Sequence, residues 1–130
     1  VATVKLYPAS KTAHLEFWRA LRAAGLPIEA PWIGWSGNEN GAQPSPTEWG
    51  KHWQSCCSGA AQADIVLLYM REGERHCGAL VECGAALSAG KRVFAVLPDE
   101  GLSFRYHPNV TVFDSLSDAV SAIVKETISS

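Results

Sequence analysis

The six residues Asp64 to Tyr69 (DIVLLY) form a continuous run of β-branched and aliphatic side chains behind a single acid. A strand with one face in water alternates apolar and polar positions, whereas a strand covered on both faces, as in a parallel sheet, does not. The run therefore reads as a central strand of a parallel sheet. Such strands must be joined by crossovers, normally helical. Downstream, a polar insert, Arg71 to Cys77, precedes the helical stretch GALVECGAALSAG (78–90), and a second buried run, Val93 to Leu97, ends at Pro98. A further short strand, Val110 to Phe113, and a helix from Ser115 to Ile128 follow, with Ser115 or Ser117 as its N-cap.

Upstream, Trp49, Trp53, Cys56, Cys57 and Ala60 recur at helical spacing after Thr47, despite Gly50 and Gly59. The run SGNENGAQPSP (36–46) reads as a mobile loop over one end of the domain. PIEAPWIG (27–34) is compatible with a short second strand, and its two prolines favour an edge position. The first strand is expected over residues 2–7, closed by Pro8. It feeds a helix N-capped by Ser10 that carries Leu15, Phe17, Trp18 and Leu21 and stops at Gly25. This alternation predicts one α/β domain over residues 1–130: a doubly wound, five-stranded parallel sheet of Rossmann-like or flavodoxin-like kind, in order 2-1-3-4-5.

The 130 residues are 47% hydrophobic and 18% charged, which suits one globular core and excludes a disordered chain. A formal charge of −2 gives no field that would attract nucleic acid. The longest strongly apolar run, Ile65 to Met70, is too short to cross a bilayer. The opening VATVKLYPAS has no signal-peptide pattern, so a cytoplasmic location is expected. Cys56, Cys57, Cys77 and Cys83 lack metal-ligand spacing and read as free, mostly buried thiols, so no metal is expected. Dinucleotide-binding, Walker, zincin and hydrolase motifs are all missing from the sequence, and no organic cofactor is expected.

Doubly wound sheets bind ligands beyond the carboxyl ends of their strands. That selects Tyr7 to Ser10, Tyr69 to Gly78 and Leu97 to Glu100. Within the middle segment Arg71, Glu72, Glu74, Arg75 and His76 lead into a helix N-terminus, a natural place for a substrate anion. Glu82 stands out because it is ionisable in an otherwise apolar helix, among Ala79, Ala86 and Ala89 at helical spacing. A partly dehydrated carboxylate is a competent nucleophile or base. The competing reading is a surface glutamate paired with Arg71, Arg75 or Lys91. Tyr7, at the mouth of the first strand, is placed to aim its hydroxyl at Glu82, or else to be core with a wet tip. Asp64 lies at the opposite end, where a linking hydrogen bond is expected. Trp32, Trp35, Trp49 and Trp53 suit either an aromatic wall for a nucleobase or core and dimer contacts.

The segments KLYPAS (5–10) and ADIVLLY...GALVECGAALSAGKRVFAVLP (63–98) resemble the nucleoside 2-deoxyribosyltransferase family and its nucleotide N-glycosidase relatives. The resemblance implies that Glu82 is the nucleophile that attacks the sugar C1′ and displaces the base, and that Tyr7 orients it. It implies further that Gly78 lets the substrate approach the helix N-terminus and that Gly84 permits close packing beneath it. At His76, six residues before Glu82, the transferases carry an aspartate and the nucleotide hydrolases a small hydroxyl residue. This departure puts transferase activity in doubt, while His76 with Arg75 suits an anionic group.

The expected function is thus cleavage or transfer at the N-glycosidic bond of a nucleoside or nucleoside 5′-monophosphate. Glu82 and Tyr7 are the catalytic pair, and Ser10, Arg71, Arg75, His76 and Gly78 bind substrate. A homo-oligomer, dimer or larger, is expected from the resemblance. Two other readings are a non-catalytic nucleotide sensor of the same fold and a structural oligomer module.

Overall fold

The computed structural model describes residues 4–34, 44–74, 77–98 and 102–129. Its sheet has four parallel strands, β1 (Leu6–Ala9), β2 (Ile65–Tyr69), β3 (Arg92–Val96) and β4 (Val110–Val112), in the order β1-β2-β3-β4. Among the described residues four α-helices accompany them: α1 (Leu15–Ala23), α2 (Pro46–Gln62), α3 (Cys77–Ser88) and α4 (Leu116–Ser129).

Residues 65–69 of the DIVLLY run form β2, and Ile65 to Leu68 are buried, as a strand covered on both faces requires. Register fixes the two faces. Tyr7 pairs with Val66 and Ala9 with Leu68, and this face meets α2 and α3. On the other face the Tyr69 ring lies 5.1 Å from His14, 6.4 Å from Phe17 and 6.3 Å from Trp18, which brings α1 over it. Arg92 of β3 grips Glu126 of α4 through two hydrogen bonds of 2.5 and 2.6 Å.

The expected five-stranded sheet in order 2-1-3-4-5 is not formed. Where the second strand was expected, Ile28 makes an isolated parallel bridge to Leu6, and Pro31–Ile33 then turn as a 3-10 helix. Prolines at 27 and 31 remove the amide donors that a longer ladder needs. Leu6 nevertheless satisfies both outward groups, donating to the Pro27 carbonyl at 3.0 Å and accepting from the Glu29 amide at 2.9 Å. Two residues on, the outward position is Pro8, which has no amide, and its carbonyl accepts the indole N–H of Trp32 at 2.9 Å. A proline and a tryptophan close the edge where a fifth strand was predicted.

The first strand also shifts. Pro8 does not end it but lies inside β1, because the ladder to β2 never uses the amide at that position. Residues 2 and 3 of the expected span lie outside the described residues. The N-cap of α1 is His14, after a 3-10 turn at Thr12–His14, and Ser10 instead accepts the indole N–H of Trp18 at 2.6 Å. Helix α2 starts one residue earlier than expected, with Pro46 in its first turn and a reciprocal Ser45–Glu48 capping box at 3.1 and 2.9 Å. Ser115 caps α4 through the Asp118 amide at 3.1 Å.

Candidate active site

Helix α3 buries Ala79, Glu82 and Ala86 of the stripe that spacing defines, together with Cys83. The two alanines and the cysteine keep this stripe shallow, so the helix lies close to β1, β2 and β3 and packs against α2. Glu82 is 5% exposed and is the buried charged side chain among the described residues. Its Oε2 accepts a hydrogen bond from the Tyr7 hydroxyl, and Tyr7 is fully buried. The surface-glutamate alternative is thereby removed.

The pair is electrostatically poised. Burial pushes the Glu82 carboxyl up to about 7, although the Tyr7 hydrogen bond pulls the other way by stabilising the charged form. Burial, reinforced by the neighbouring carboxylate, holds the Tyr7 phenol far above its ordinary range, so it remains a donor. Glu82 is therefore a buried carboxyl pushed up toward neutrality, with one oxygen held by a permanent donor.

Two glycines allow this packing. The ring of Tyr7 lies against α2 at Gly59, where a Cβ would stand 3.2 Å from Cε2 of Tyr7 and 3.4 Å from Cδ of Pro31. At Gly78, one turn before Glu82, a Cβ would stand 2.8 Å from Cη2 of Trp53. The bareness of Gly78 thus admits the Trp53 indole, which forms a wall on the Glu82 side of α3. A Cβ at Gly84 would meet nothing within 4 Å, so the close packing implied at that position is not found.

The polar residues expected around the anion divide. At the end of β1, Ser10 spends its hydroxyl on Trp18 and on the Lys11 carbonyl at 3.0 Å. Arg71 is exposed, and its amide donates to Glu74 at 2.8 Å; Glu74 also bonds His14 at 3.0 Å, tying the segment after β2 to the start of α1. Arg75, His76, Trp35 and most of the 36–46 loop lie outside the described residues. Asp64 accepts the Lys5 amide at 2.7 Å at the far end of the sheet, the linking role expected of it. Ala89, grouped with Ala79 and Ala86 by spacing, is exposed.

Sequence reading did not single out a polar pair on α2. Cys56 is buried, and its sulfur lies 3.6 Å from Nε2 of His52. Their signal was the i, i+4 spacing on one face of α2, which identifies a shared stripe but not what the stripe faces. Among the described residues no group of three or more His, Cys, Asp or Glu is placed to hold a metal ion. None of the described helices is long and apolar enough to cross a membrane.

No protein-family model matches the chain, and no curated protein matches it. Among solved structures, the CMP N-glycosidase BcmB of Clostridium botulinum is similar over 95% of this chain and 98% of that one, with a TM-score of 0.50 and 13% sequence identity. At that identity the likeness is one of fold. It extends along nearly the whole of both chains.

Proposed function

We propose that the protein cleaves the N-glycosidic bond of a nucleoside or nucleoside 5′-monophosphate, with Glu82 as nucleophile and Tyr7 as the residue that orients it. The observation that carries this reading is the buried carboxyl held by a buried tyrosine hydroxyl, within a fold shared with a CMP N-glycosidase. A glutamate sealed between two helices and a sheet costs stability, and a nucleophile is a reason to keep it there.

In the first step the free carboxylate oxygen bonds to C1′, and the C1′–N pair leaves with the base, which takes a proton from solvent. Tyr7 keeps the second oxygen in place throughout. In the second step water bonds to C1′, the ester bond to Glu82 breaks, and the proton released returns to solvent. A second free base in place of water turns hydrolysis into transfer. Arg71, with Arg75 and His76, is assigned to the anionic side of the substrate. The protein is expected to act in the cytoplasm as a homo-oligomer.

The test is base release from a panel of nucleosides and 5′-monophosphates, followed by chromatography with and without a second free base. Glu82→Gln is expected to lower release at least about 10³-fold. Because the carboxylate is the active form, kcat/KM for a nucleoside is expected to rise with pH up to about 7 and then level. Unchanged release in Glu82→Gln would remove the mechanism. Binding without release would favour a nucleotide sensor.

A further inference from the structure

Beyond the carboxyl ends of β1 and β2 the chain leaves in opposite directions. After β1 it enters α1 and returns to bridge the outer side of β1 at Ile28, whereas after β2 it enters α3 and passes on to β3. Helix α1 covers the Tyr69 face of the sheet and α3 the Tyr7 face. A parallel sheet opens a ligand crevice where its connections diverge in this way, so the crevice lies between the segments that follow these two strands. One pair of side chains joins those segments. Nε2 of His14, at the start of α1, donates to Oε2 of Glu74 at 3.0 Å, and the two side chains are only 13% and 18% exposed. An ionised carboxylate only accepts, so this nitrogen carries the proton.

The other carboxylate oxygen of Glu74, Oε1, accepts from the Arg71 amide at 2.8 Å. The Glu74 amide donates back to the Arg71 carbonyl at 3.1 Å, closing a tight turn over residues 71–74 with Gly73 at φ 81°. The His14 ring also lies 5.1 Å from that of Tyr69, the last residue of β2. One carboxylate thus ties the backbone of Arg71 to the start of α1 and sets the width of the crevice mouth on the α1 side.

We propose that His14 and Glu74 are positioning residues, which hold Arg71 ready at the crevice mouth and so set the preference for a nucleoside 5′-monophosphate over the bare nucleoside. The inference rests on the reading of Arg71 as a group for the anionic side of the substrate. A turn left loose would have to be ordered when the phosphate arrives, and that entropy would be lost from binding. The bridge orders it beforehand. Charge alone argues the other way, because a carboxylate beside the mouth repels an incoming phosphate. The two effects give opposite signs on removal of Glu74: positioning predicts weaker phosphate binding, and repulsion predicts tighter binding.

The test is calorimetric titration of the full chain with ribose 5-phosphate and with its 2-deoxy analogue, which need no turnover. His14→Ala and Glu74→Ala are each expected to weaken binding of the tighter of the two by about 3- to 10-fold. His14→Gln, whose side-chain amide stands where Nε2 was, is expected to recover most of the loss; the two His14 variants carry the test if Glu74→Ala does not fold. Unchanged or tighter binding in His14→Ala or in a folded Glu74→Ala overturns the proposal, and so does a wild type that binds neither sugar phosphate. Where base is released, KM for a 5′-monophosphate must rise by the same factor while kcat, and KM for the nucleoside, stay in place. An equal loss on both substrates would mean that the bridge only supports the fold, and overturns the positioning role. If the wild type releases no base while the variants lose sugar phosphate as expected, the glycosidase reading fails and the positioning role is supported.

Discussion

Burial lifts the proton affinity of Glu82, and the same shift acts on folding. The carboxyl titrates at about 7 in the folded chain against its ordinary 4.5. Between those values the unfolded chain releases a proton that the folded chain keeps, so stability falls as pH rises through this window and levels above it. At pH 8 the charged Glu82 costs up to about 3 kcal/mol. Glu82→Gln, which can still accept from Tyr7, is therefore expected to be the more stable protein at pH 8 and to match the wild type below about pH 4.5. Urea unfolding at a series of pH values checks this, and equal stability at pH 8 would show that the carboxyl carries no such burden. The residue was legible because an acid on a small-residue face of an apolar helix has few bland explanations. The contact of Trp53 with Gly78 was not, because spacing along α2 does not show on which glycine an indole packs.

Helix α2 carries Gly50 and Gly59, and α3 carries Gly78 in its first turn, yet these glycines differ in consequence. At Gly50 an added Cβ meets nothing within 4 Å, so Gly50→Ala should raise helix stability by about 1 kcal/mol. At Gly78 the same methyl meets the Trp53 indole at 2.8 Å, and Gly78→Ala is expected to cost about 1 to 3 kcal/mol despite the better propensity. Paired urea unfolding curves decide it; a stabilising Gly78→Ala would mean that Trp53 moves aside freely. The elements themselves were largely readable, since β2, β3 and α3 each carry an unmistakable apolar pattern. The failures fell at Pro8, Ser10 and residues 27–34. A proline looks like a terminator unless the neighbour on its amide side is known, and a serine looks like a cap unless the indole seeking it is known. Both facts are tertiary, and periodicity carries neither.

Across the whole molecule, the sheet's two edges are unequal. On the β4 side the strand has three residues, with Thr111 and Val112 exposed. On the β1 side Leu6 is bonded to the 27–29 segment, and the Pro8 carbonyl is covered by Trp32, which is 8% exposed. Trp32→Phe fills most of the space but leaves that carbonyl without its donor, and is expected to cost about 1 to 3 kcal/mol. Urea unfolding measures this, and a change within about 0.5 kcal/mol would show that the indole hydrogen bond contributes little to stability. This closure also bears on aggregation. A bare edge strand is where a foreign chain docks and a fibril starts. Here an incoming strand would find no amide at Pro8 and every outward acceptor of β1 already taken. Fibril growth from this side must wait until the tryptophan leaves its carbonyl, which makes one indole the lock on this edge of the sheet.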